Sequence, residues 1–169
     1  MNQQVSVKDI MTKIVVTVVP ETSLLEASEL MTKHHFSGLP IVDGTKKIVG
    51  ILTEYDLLTK GTAIHLPTFL KLFGQYPDHK KGEYTVEGNL SEILAFTVKD
   101  VMNSEPLTTH ADAPLLEIVE LFEKHHRVNP VPVVDENKKL VGIVSRYDII
   151  RYYAKMLAKA QDKHGRNNS

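Results

Sequence analysis

The segment LPIVDGTKKIVGILTEYDLL, residues 39–58, decides the fold because it occurs again as VPVVDENKKLVGIVSRYDII, residues 131–150. In each copy a short apolar run ends in Asp, a polar turn follows, and a second apolar run begins after two lysines. This pattern predicts a β-hairpin in each copy. Thr53 and Ser145 come directly after the second run, and an acid follows each of them three residues later, which predicts the start of another helix.

The repetition extends towards the N-terminus of each copy. LLEASELMTKHH at 24–35 returns as LLEIVELFEKHH at 115–126, and VKDIM at 7–11 returns as VKDVM at 98–102. Apolar residues in the longer pair recur at three- and four-residue steps, which predicts an amphipathic helix in each repeat.

Two local signals mark where these helices begin. Ser23 with Glu26 forms the pattern of a capping box, which predicts the start of the first helix. In the second repeat Asp112 lies shortly before Pro114, and this pair predicts the corresponding start.

The repeats predict an α+β (mixed α/β) fold of two pseudo-symmetric βαββα units packed through their sheets. Each unit has a short extended segment, at 14–19 or 106–111, and the VKD segment before it, at 7–11 or 98–102, is here called the lead. A unit of this size buries little apolar area alone, so we expect the pair to fold together. The apolar residues of the spacer either complete the core or form an interface. The expected domains are a first unit, a spacer with short helices, a second unit and a polar tail: 1–60, 61–97, 98–160 and 161–169.

The composition excludes several classes of function. Of the 169 residues, 42% are hydrophobic and 24% are charged, as in ordinary globular proteins. A net charge of −1 gives no general attraction for nucleic acid or an anionic membrane. The absence of Cys excludes disulfides, thiolate nucleophiles and Cys-ligated zinc. No apolar run approaches the ~20 residues of a membrane span, and the first residues lack the apolar core of a signal peptide, so we expect a cytoplasmic protein.

The two predicted helix starts after the hairpins are candidate binding sites. Thr53 and Ser145 each supply a hydroxyl beside the unpaired N–H groups of a first helical turn, which suits an anion. Asp56 and Asp148 follow in the same turn, and such a carboxylate can accept hydrogen bonds from a ribose diol. The same spacing is also typical of a plain capping box. From the residues alone both interpretations stay open.

The twofold pattern resembles that of the CBS domain family in its tandem arrangement, the Bateman module. The resemblance rests on two copies, in the same order, of the lead, the helix, the hairpin and G-h-x-[ST]-x-x-D, over 7–58 and 98–150. The spacer, with its IHLPTFLKL segment, is similar to that of small free-standing bacterial and archaeal CBS-pair proteins. The family implies binding of AMP, ADP, ATP or S-adenosylmethionine in one or two clefts between the units. It also implies a homodimer that senses energy or metabolite state and regulates a partner enzyme or transporter.

Carried over by position, the resemblance assigns the ribose to Asp56 and Asp148 and the phosphate to the hydroxyls of Thr53 and Ser145. A further set lines the adenine pockets or points towards the phosphates: Val15, Thr17, Gly38, Leu39, Pro40, Pro106, Thr108, Arg127, Asn129, Val131, Pro132 and Arg146.

The two implied sites differ in charge. The second has Arg146 and Arg127 where the first has Glu54 and Phe36. Because guanidinium groups bind phosphate bidentately, we expect the second site to prefer the more highly phosphorylated ligand. The first is expected to take AMP, a nucleoside-like ligand or nothing.

Other signals favour structural roles. The paired histidines at 34–35 and 125–126 suit helix ends better than a metal, because adjacent helical residues point about 100° apart. The apolar stripe on the helix at 146–160, formed by Ile149, Ile150, Tyr153 and Leu157, serves either the core or a partner, and we expect the core. No asymmetric cluster of nucleophile and base appears, so we expect neither catalysis nor a catalytic cofactor. The alternative function is a dimerisation or docking module that needs no ligand.

Overall fold

The computed structural model describes residues 4–60 and 95–167. The chain divides into two compact units. One, here called the terminal unit, combines Met1–Val15 with Leu107–Ser169. The other, the central unit, is Val16–Pro106. Most of the predicted spacer, with its short helices, lies outside the described residues, at 61–94.

The central unit contains the predicted helix and hairpin of the first repeat. Its described elements are α1 (Leu24–His34), β1 (Gly38–Val42), β2 (Ile48–Thr53), α2 (Glu54–Lys60) and α3 (Val98–Val101). Strands β1 and β2 pair antiparallel, with Gly38 opposite Thr53 and Leu39 opposite Leu52. Asp43 closes the hairpin turn, because its Oδ1 accepts from the N–H groups of Thr45 and Lys47 at 2.8 and 3.0 Å.

The terminal unit repeats this architecture. It contains a short 3-10 helix (Val7–Asp9), β3 (Thr109–His110), α4 (Leu115–Lys124), β4 (Val131–Val134), β5 (Leu140–Val144) and α5 (Arg146–Asn167). Strands β4 and β5 form the predicted antiparallel hairpin. The extended segment at 106–111 contributes β3, which pairs parallel to β4. The mixed α/β fold predicted from the repeats is confirmed.

The two leads, at 7–11 and 98–102, are exchanged between the repeats, so that each packs on the hairpin and helix of the other repeat. The N–H of Val7 donates to the carbonyl of Ala113 at 2.9 Å, and Thr12 and Ile143 exchange two backbone hydrogen bonds of 2.9 Å, so the first lead is built into the second repeat. The exchange is reciprocal. In the central unit Asn103 and Ile51 also exchange two hydrogen bonds of 2.9 Å. The compact units therefore do not follow the order of the repeats, and the predicted domain boundaries stay a prediction.

Each lead also completes a hydrophobic core. Val7 and Ile10 are buried with Ile118 and Phe122 of α4 in the terminal unit. In the central unit the equivalent lead residues Val98 and Val101 are buried among residues of α1, β1 and β2, including Leu24, Ala27, Met31, Leu39 and Leu52. The apolar positions of the VKDIM and VKDVM segments are thus core positions.

Three details of the sequence-based interpretation differ from the structure. Pro114, not Asp112, occupies the N-cap of α4, and no side chain caps this start. Asp112 instead forms an ion pair with Lys8 of the lead at 2.5 Å, so a partner distant in sequence has displaced the local role. The helix α5 continues to Asn167, through the first residues of the predicted polar tail.

The third difference concerns the apolar stripe of α5. Ile149 packs against the core of the terminal unit, as expected. Ile150, Tyr153 and Leu157 are exposed, so the assignment of the whole stripe to the core is wrong. The reason is the face of the helix on which these residues lie. Ile149 and Tyr152 pack against the core, whereas Ile150 and Tyr153 follow them by one position and therefore point about 100° away.

The close approach of each lead to a hairpin makes a testable prediction at two glycines. A Cβ on Gly142 would lie 2.7 Å from Met11 Sδ and 3.1 Å from the carbonyl oxygen of Thr12. On Gly50 it would meet Met102 Sδ at 2.7 Å and the Asn103 oxygen at 3.0 Å. We expect Gly142→Ala or Gly50→Ala to lower the free energy of unfolding by about 1–3 kcal/mol, measured by urea denaturation.

Gly44→Ala is the matched control, because a Cβ there meets nothing within 4 Å. Equal stabilities of the Gly142→Ala and Gly44→Ala proteins would contradict the placement of the leads.

Candidate functional site

The carboxylate of Asp56 is fixed at the start of α2. The N–H and the hydroxyl of Thr53 both donate to Asp56 Oδ2, at 3.0 and 2.6 Å. The N–H of Asp56 donates back to Thr53 Oγ1 at 3.3 Å. Asp56 is 7% exposed. The result is a buried carboxylate whose orientation is set by two donors.

Asp148 is held in the same way at the start of α5. The N–H and the hydroxyl of Ser145 donate to Asp148 Oδ2 at 2.8 and 2.7 Å. The residue is 5% exposed. Its other oxygen, Oδ1, accepts from Arg151 Nη2 at 2.7 Å. The two helix starts therefore share the geometry of the cap, and at the second the carboxylate oxygen outside the cap, here called the outer oxygen, contacts Arg151.

These contacts show that the capping interpretation applies to both helix starts. A hydroxyl has one proton, and Thr53 and Ser145 each give theirs to the Asp of the same turn. In this arrangement the hydroxyl orients the carboxylate and is not available to donate to a phosphate. The cap leaves acceptor positions on the carboxylate unused, because its two oxygens offer about four such positions. The Asp can therefore belong to a capping box and also bind a ribose, whereas the hydroxyl can donate either to the Asp or to a phosphate.

The same capping box occurs in both leads, where its acid is exposed, and these two are here called the lead boxes. Asp9 Oδ2 accepts from the N–H and hydroxyl of Ser6 at 2.9 and 2.8 Å, and Asp100 Oδ2 accepts from the same groups of Thr97, each at 2.8 Å. The backbone hydrogen bond is the largest cause that lowers the pKa of Asp9 and of Asp100, followed by the hydroxyl. Burial of the acid thus distinguishes the candidate sites from the lead boxes.

The lead boxes predict a loss of stability in acid. Because the pKa of Asp9 in the folded state lies below its ordinary value of 3.8, the unfolded chain takes up this proton more readily. The stabilisation is complete above that ordinary value and is lost as the pH falls through the folded-state pKa. We expect Asp9→Asn to flatten the acid limb of a plot of unfolding free energy against pH. An unchanged slope between wild type and variant would contradict the box.

Arg146, which the family resemblance assigns to the phosphate, contacts the end of α4 in this structure. Its Nη2 is within 3.2 Å of the carbonyl oxygens of Phe122, His125 and His126, at the end of α4. The guanidinium carbon lies 4.9 Å from the centroid of the Phe122 ring. A cation at this position satisfies carbonyls that have no partner within the helix. In this structure Arg146 therefore secures the end of α4.

Asn129 compensates for the residue inserted before β4. Its Oδ1 accepts from the N–H of Arg146 at 3.0 Å. In the first repeat the N–H of Glu54 finds a backbone partner instead, the carbonyl of Ser37, at 3.2 Å. A side chain thus replaces a main-chain acceptor where the loop is longer.

The remaining predicted site residues differ in exposure. Val15 and Pro106 are half-buried, and Gly38 is buried. Thr17, Thr108 and Arg127 are exposed. Leu39, Pro40, Val131 and Pro132 are fully buried in β1 and β4.

The unit boundaries separate two of the predicted pairs. The central unit brings together Thr17, Gly38, Leu39, Pro40, Thr53 and Asp56, whereas Val15 belongs to the terminal unit. The terminal unit holds Thr108, Arg127, Asn129, Val131, Pro132, Ser145, Arg146 and Asp148, whereas Pro106 belongs to the central unit. The assignment of these residues to adenine pockets stays a prediction.

Arg151 is the residue that the sequence-based interpretation missed. An Asp followed three positions later by Arg on a helix is a recognisable ion-pair spacing, and this signal was available in the second repeat.

The paired histidines lie at helix ends. His35 is the C-cap of α1 and His125 that of α4. Within residues 4–60 and 95–167, no three His, Asp or Glu side chains are grouped as a metal site would require. Every helix in the described part of the chain is too short or too polar to cross a bilayer.

The chain belongs to the CBS domain family. The family model for the CBS domain matches residues 7–61 and 98–155. The tandem pair inferred from the repeats is confirmed.

Solved structures of CBS pairs resemble this chain over most of its length. CBSX2 of Arabidopsis thaliana, crystallised in complex with AMP, aligns with a TM-score of 0.66 and 25% identity, over 89% of this chain and 97% of that one. The CBS domain pair of protein MJ0100, in complex with 5′-methylthioadenosine and S-adenosylmethionine, aligns with a TM-score of 0.67 and 28% identity, over 91% and 99%.

A curated relative is an enzyme. The chain is 31% identical over 147 residues to an L-aspartate semialdehyde sulfurtransferase of Methanocaldococcus jannaschii. The aligned region covers 87% of this chain and 23% of the enzyme. Against CBSX1 of Arabidopsis thaliana the chain covers 57% of the relative. The chain thus spans less than two thirds of the length of these curated relatives.

Proposed function

We propose that this CBS pair binds an adenosine-containing small molecule and changes the state of a partner protein when it does so. Asp56 and Asp148 accept the hydroxyl groups of the ribose. The ligand class is AMP, ADP, ATP or S-adenosylmethionine. The observation that carries the proposal is the pair of buried carboxylates, each held by an N–H and a hydroxyl of its own turn.

The cap prepares each carboxylate for a diol. Both donors of the cap go to Oδ2, so the direction of Oδ1 is fixed before any ligand arrives. A fixed acceptor loses little freedom on binding, which favours affinity. Solved relatives with AMP and with 5′-methylthioadenosine and S-adenosylmethionine support a ligand that contains ribose. These ligands share the adenosine part and differ at the 5′ position.

The phosphate role of the hydroxyls is the less supported part of the earlier assignment. The hydroxyls of Thr53 and Ser145 would have to break their hydrogen bonds to the buried acid in order to donate to a phosphate. We therefore assign them to the orientation of Asp56 and Asp148.

The role we infer is regulatory and not catalytic. A ligand that prefers one of two arrangements shifts the equilibrium by no more than its difference in affinity for them, typically about 1–3 kcal/mol. Duplicated, near-identical sites suit sensing better than catalysis, which needs one asymmetric cluster. The match to the sulfurtransferase amounts to 23% of that enzyme, so its activity is not carried over to this chain.

Thermal denaturation with a panel of nucleotides tests the proposal. We expect AMP, ATP or S-adenosylmethionine at 100 times its Kd to add about 2.7 kcal/mol to the free energy of unfolding. This stabilisation raises the melting temperature by several degrees for a chain of this size. GMP at the same concentration serves as the control for general anion binding. A melting temperature that no adenosine compound changes would contradict adenosine binding.

One observation favours a second candidate, a docking module that needs no ligand. Ile150, Tyr153 and Leu157 form an exposed apolar stripe on α5. Sedimentation of the protein without ligand separates the two candidates. A dimer whose stability no adenosine compound changes would favour docking alone.

A further inference from the structure

The two helix starts differ in charge where their geometry is the same. In the second, the half-exposed Arg151 donates to the outer oxygen of Asp148 at 2.7 Å. The equivalent position in the first repeat is Thr59, a neutral residue whose hydroxyl donates to the carbonyl of Tyr55 at 2.7 Å. The acid of the second helix start thus pairs with a guanidinium three positions further along the helix, where the first repeat has the neutral Thr59.

The neighbouring residues increase the difference. Glu54 and Asp56 place two negative charges in the first turn of α2. In the first turn of α5 the acid is Asp148, and Arg146 and Arg151 flank it. Since Arg146 is engaged at the end of α4, Arg151 is the cation nearest the outer oxygen of Asp148 among the described contacts.

We propose that Arg151 determines which adenosine ligand the second helix start prefers, and this inference rests on the adenosine binding proposed above. The ligand favoured there carries an anionic group at the 5′ position, a phosphate or polyphosphate. The first helix start, with Glu54 and Asp56, favours an adenosine compound that is neutral or cationic at that position, such as a thioether or a sulfonium.

Two properties of Arg151 suit this role. Its side chain is 45% exposed, so it is in part accessible to a ligand while one nitrogen donates to Asp148. A guanidinium has five donors in a planar fork, of which the bond to Asp148 uses one. An anionic group beside Asp148 therefore gains a charge-assisted hydrogen bond that a thioether cannot form.

The test compares AMP with 5′-methylthioadenosine, which keeps the adenosine and replaces the phosphate by a neutral group. Calorimetric titrations are made in an Asp56→Asn background, so that the second helix start is measured alone. We expect Arg151→Thr to weaken AMP about tenfold relative to 5′-methylthioadenosine. Arg151→Lys, which keeps the charge, should retain most of the preference. Lys155→Thr removes an exposed cation one turn further along α5 and should leave the ratio within twofold.

The reciprocal variant protects the test against a general loss of the site. In an Asp148→Asn background, Thr59→Arg should shift the first helix start towards AMP. An AMP to 5′-methylthioadenosine ratio that Arg151→Thr leaves unchanged, while both ligands still bind, would overturn the role of Arg151 and leave adenosine binding intact. Failure of both ligands to bind the wild-type chain would overturn adenosine binding and this inference with it.

Discussion

Replacing Ile10 by Ala is expected to lower the free energy of unfolding by about 2–5 kcal/mol, the range for a large aliphatic side chain removed from a core. Ile10 is 5% exposed and packs with α4 and β4–β5 of the terminal unit. The loss is large because the truncation leaves a cavity in a small core that the lead completes. Urea denaturation of the full chain measures it.

Ile14→Ala is the matched control, four residues further along the chain. Ile14 is 92% exposed, so its truncation should change stability by no more than about 0.5 kcal/mol. Hydrogen exchange then locates the effect. In the Ile10→Ala protein the amides of β4 and β5 should exchange faster, and those of β1 and β2 should not. Faster exchange confined to β1 and β2 would show that the lead packs on its own repeat.

The double variant Asp56→Asn/Asp148→Asn is expected to weaken AMP binding by roughly 10- to 150-fold. A hydrogen bond to a charged group contributes about 1.5–3 kcal/mol, and each 1.4 kcal/mol is tenfold in affinity. Asn keeps an oxygen that can accept from Thr53 or Ser145, so the helix starts should persist. Calorimetric titration with AMP measures the effect, with the melting temperature recorded in parallel.

The lead boxes provide the control for this variant. Asp9→Asn/Asp100→Asn likewise replaces a carboxylate by an amide, here at the exposed acids of the two lead boxes, whose hydrogen bonds are 2.8 to 2.9 Å long. We expect this pair to leave AMP affinity within twofold of the wild type. Equal losses of affinity in the two double variants would assign the effect to capping and not to the ribose.

Much of the fold could be predicted from the sequence because the signals are local. The hairpins follow from apolar runs that end in Asp43 and Asp135, and in both turns Oδ1 of the acid accepts the N–H groups that close it. The start of α1 follows from Ser23, whose hydroxyl oxygen accepts from the N–H of Glu26 at 3.1 Å. The repetition added a second, independent copy of these signals.

The exchange of the leads could not be predicted in the same way. The VKDIM and VKDVM segments are nearly identical, so periodicity and charge fit either repeat equally well. The pairing depends on contacts between distant residues, such as Thr12 with Ile143 and Lys8 with Asp112. The same limitation explains why Asp112 was wrongly expected to cap α4.

At the candidate site the sequence identified candidate residues but not the hydrogen bonds between them. The spacing from Ser145 to Asp148 allowed a cap and a ligand contact equally, and only the hydrogen bonds show that the hydroxyl serves the cap. Likewise, the charge of Arg146 favoured a phosphate ligand, whereas the carbonyl oxygens at the end of α4 bind it in the structure.

A calorimetric cycle tests the ribose role of Asp56 and Asp148 most directly. AMP and 2′,3′-dideoxyadenosine 5′-monophosphate are titrated into the wild-type chain and into the Asp56→Asn/Asp148→Asn protein. We expect loss of the two ribose hydroxyls to weaken binding to the wild type at least tenfold and to change binding to the variant by less than twofold. Equal weakening in both proteins would show that the ribose and the two acids do not interact, and would contradict the proposed ribose site.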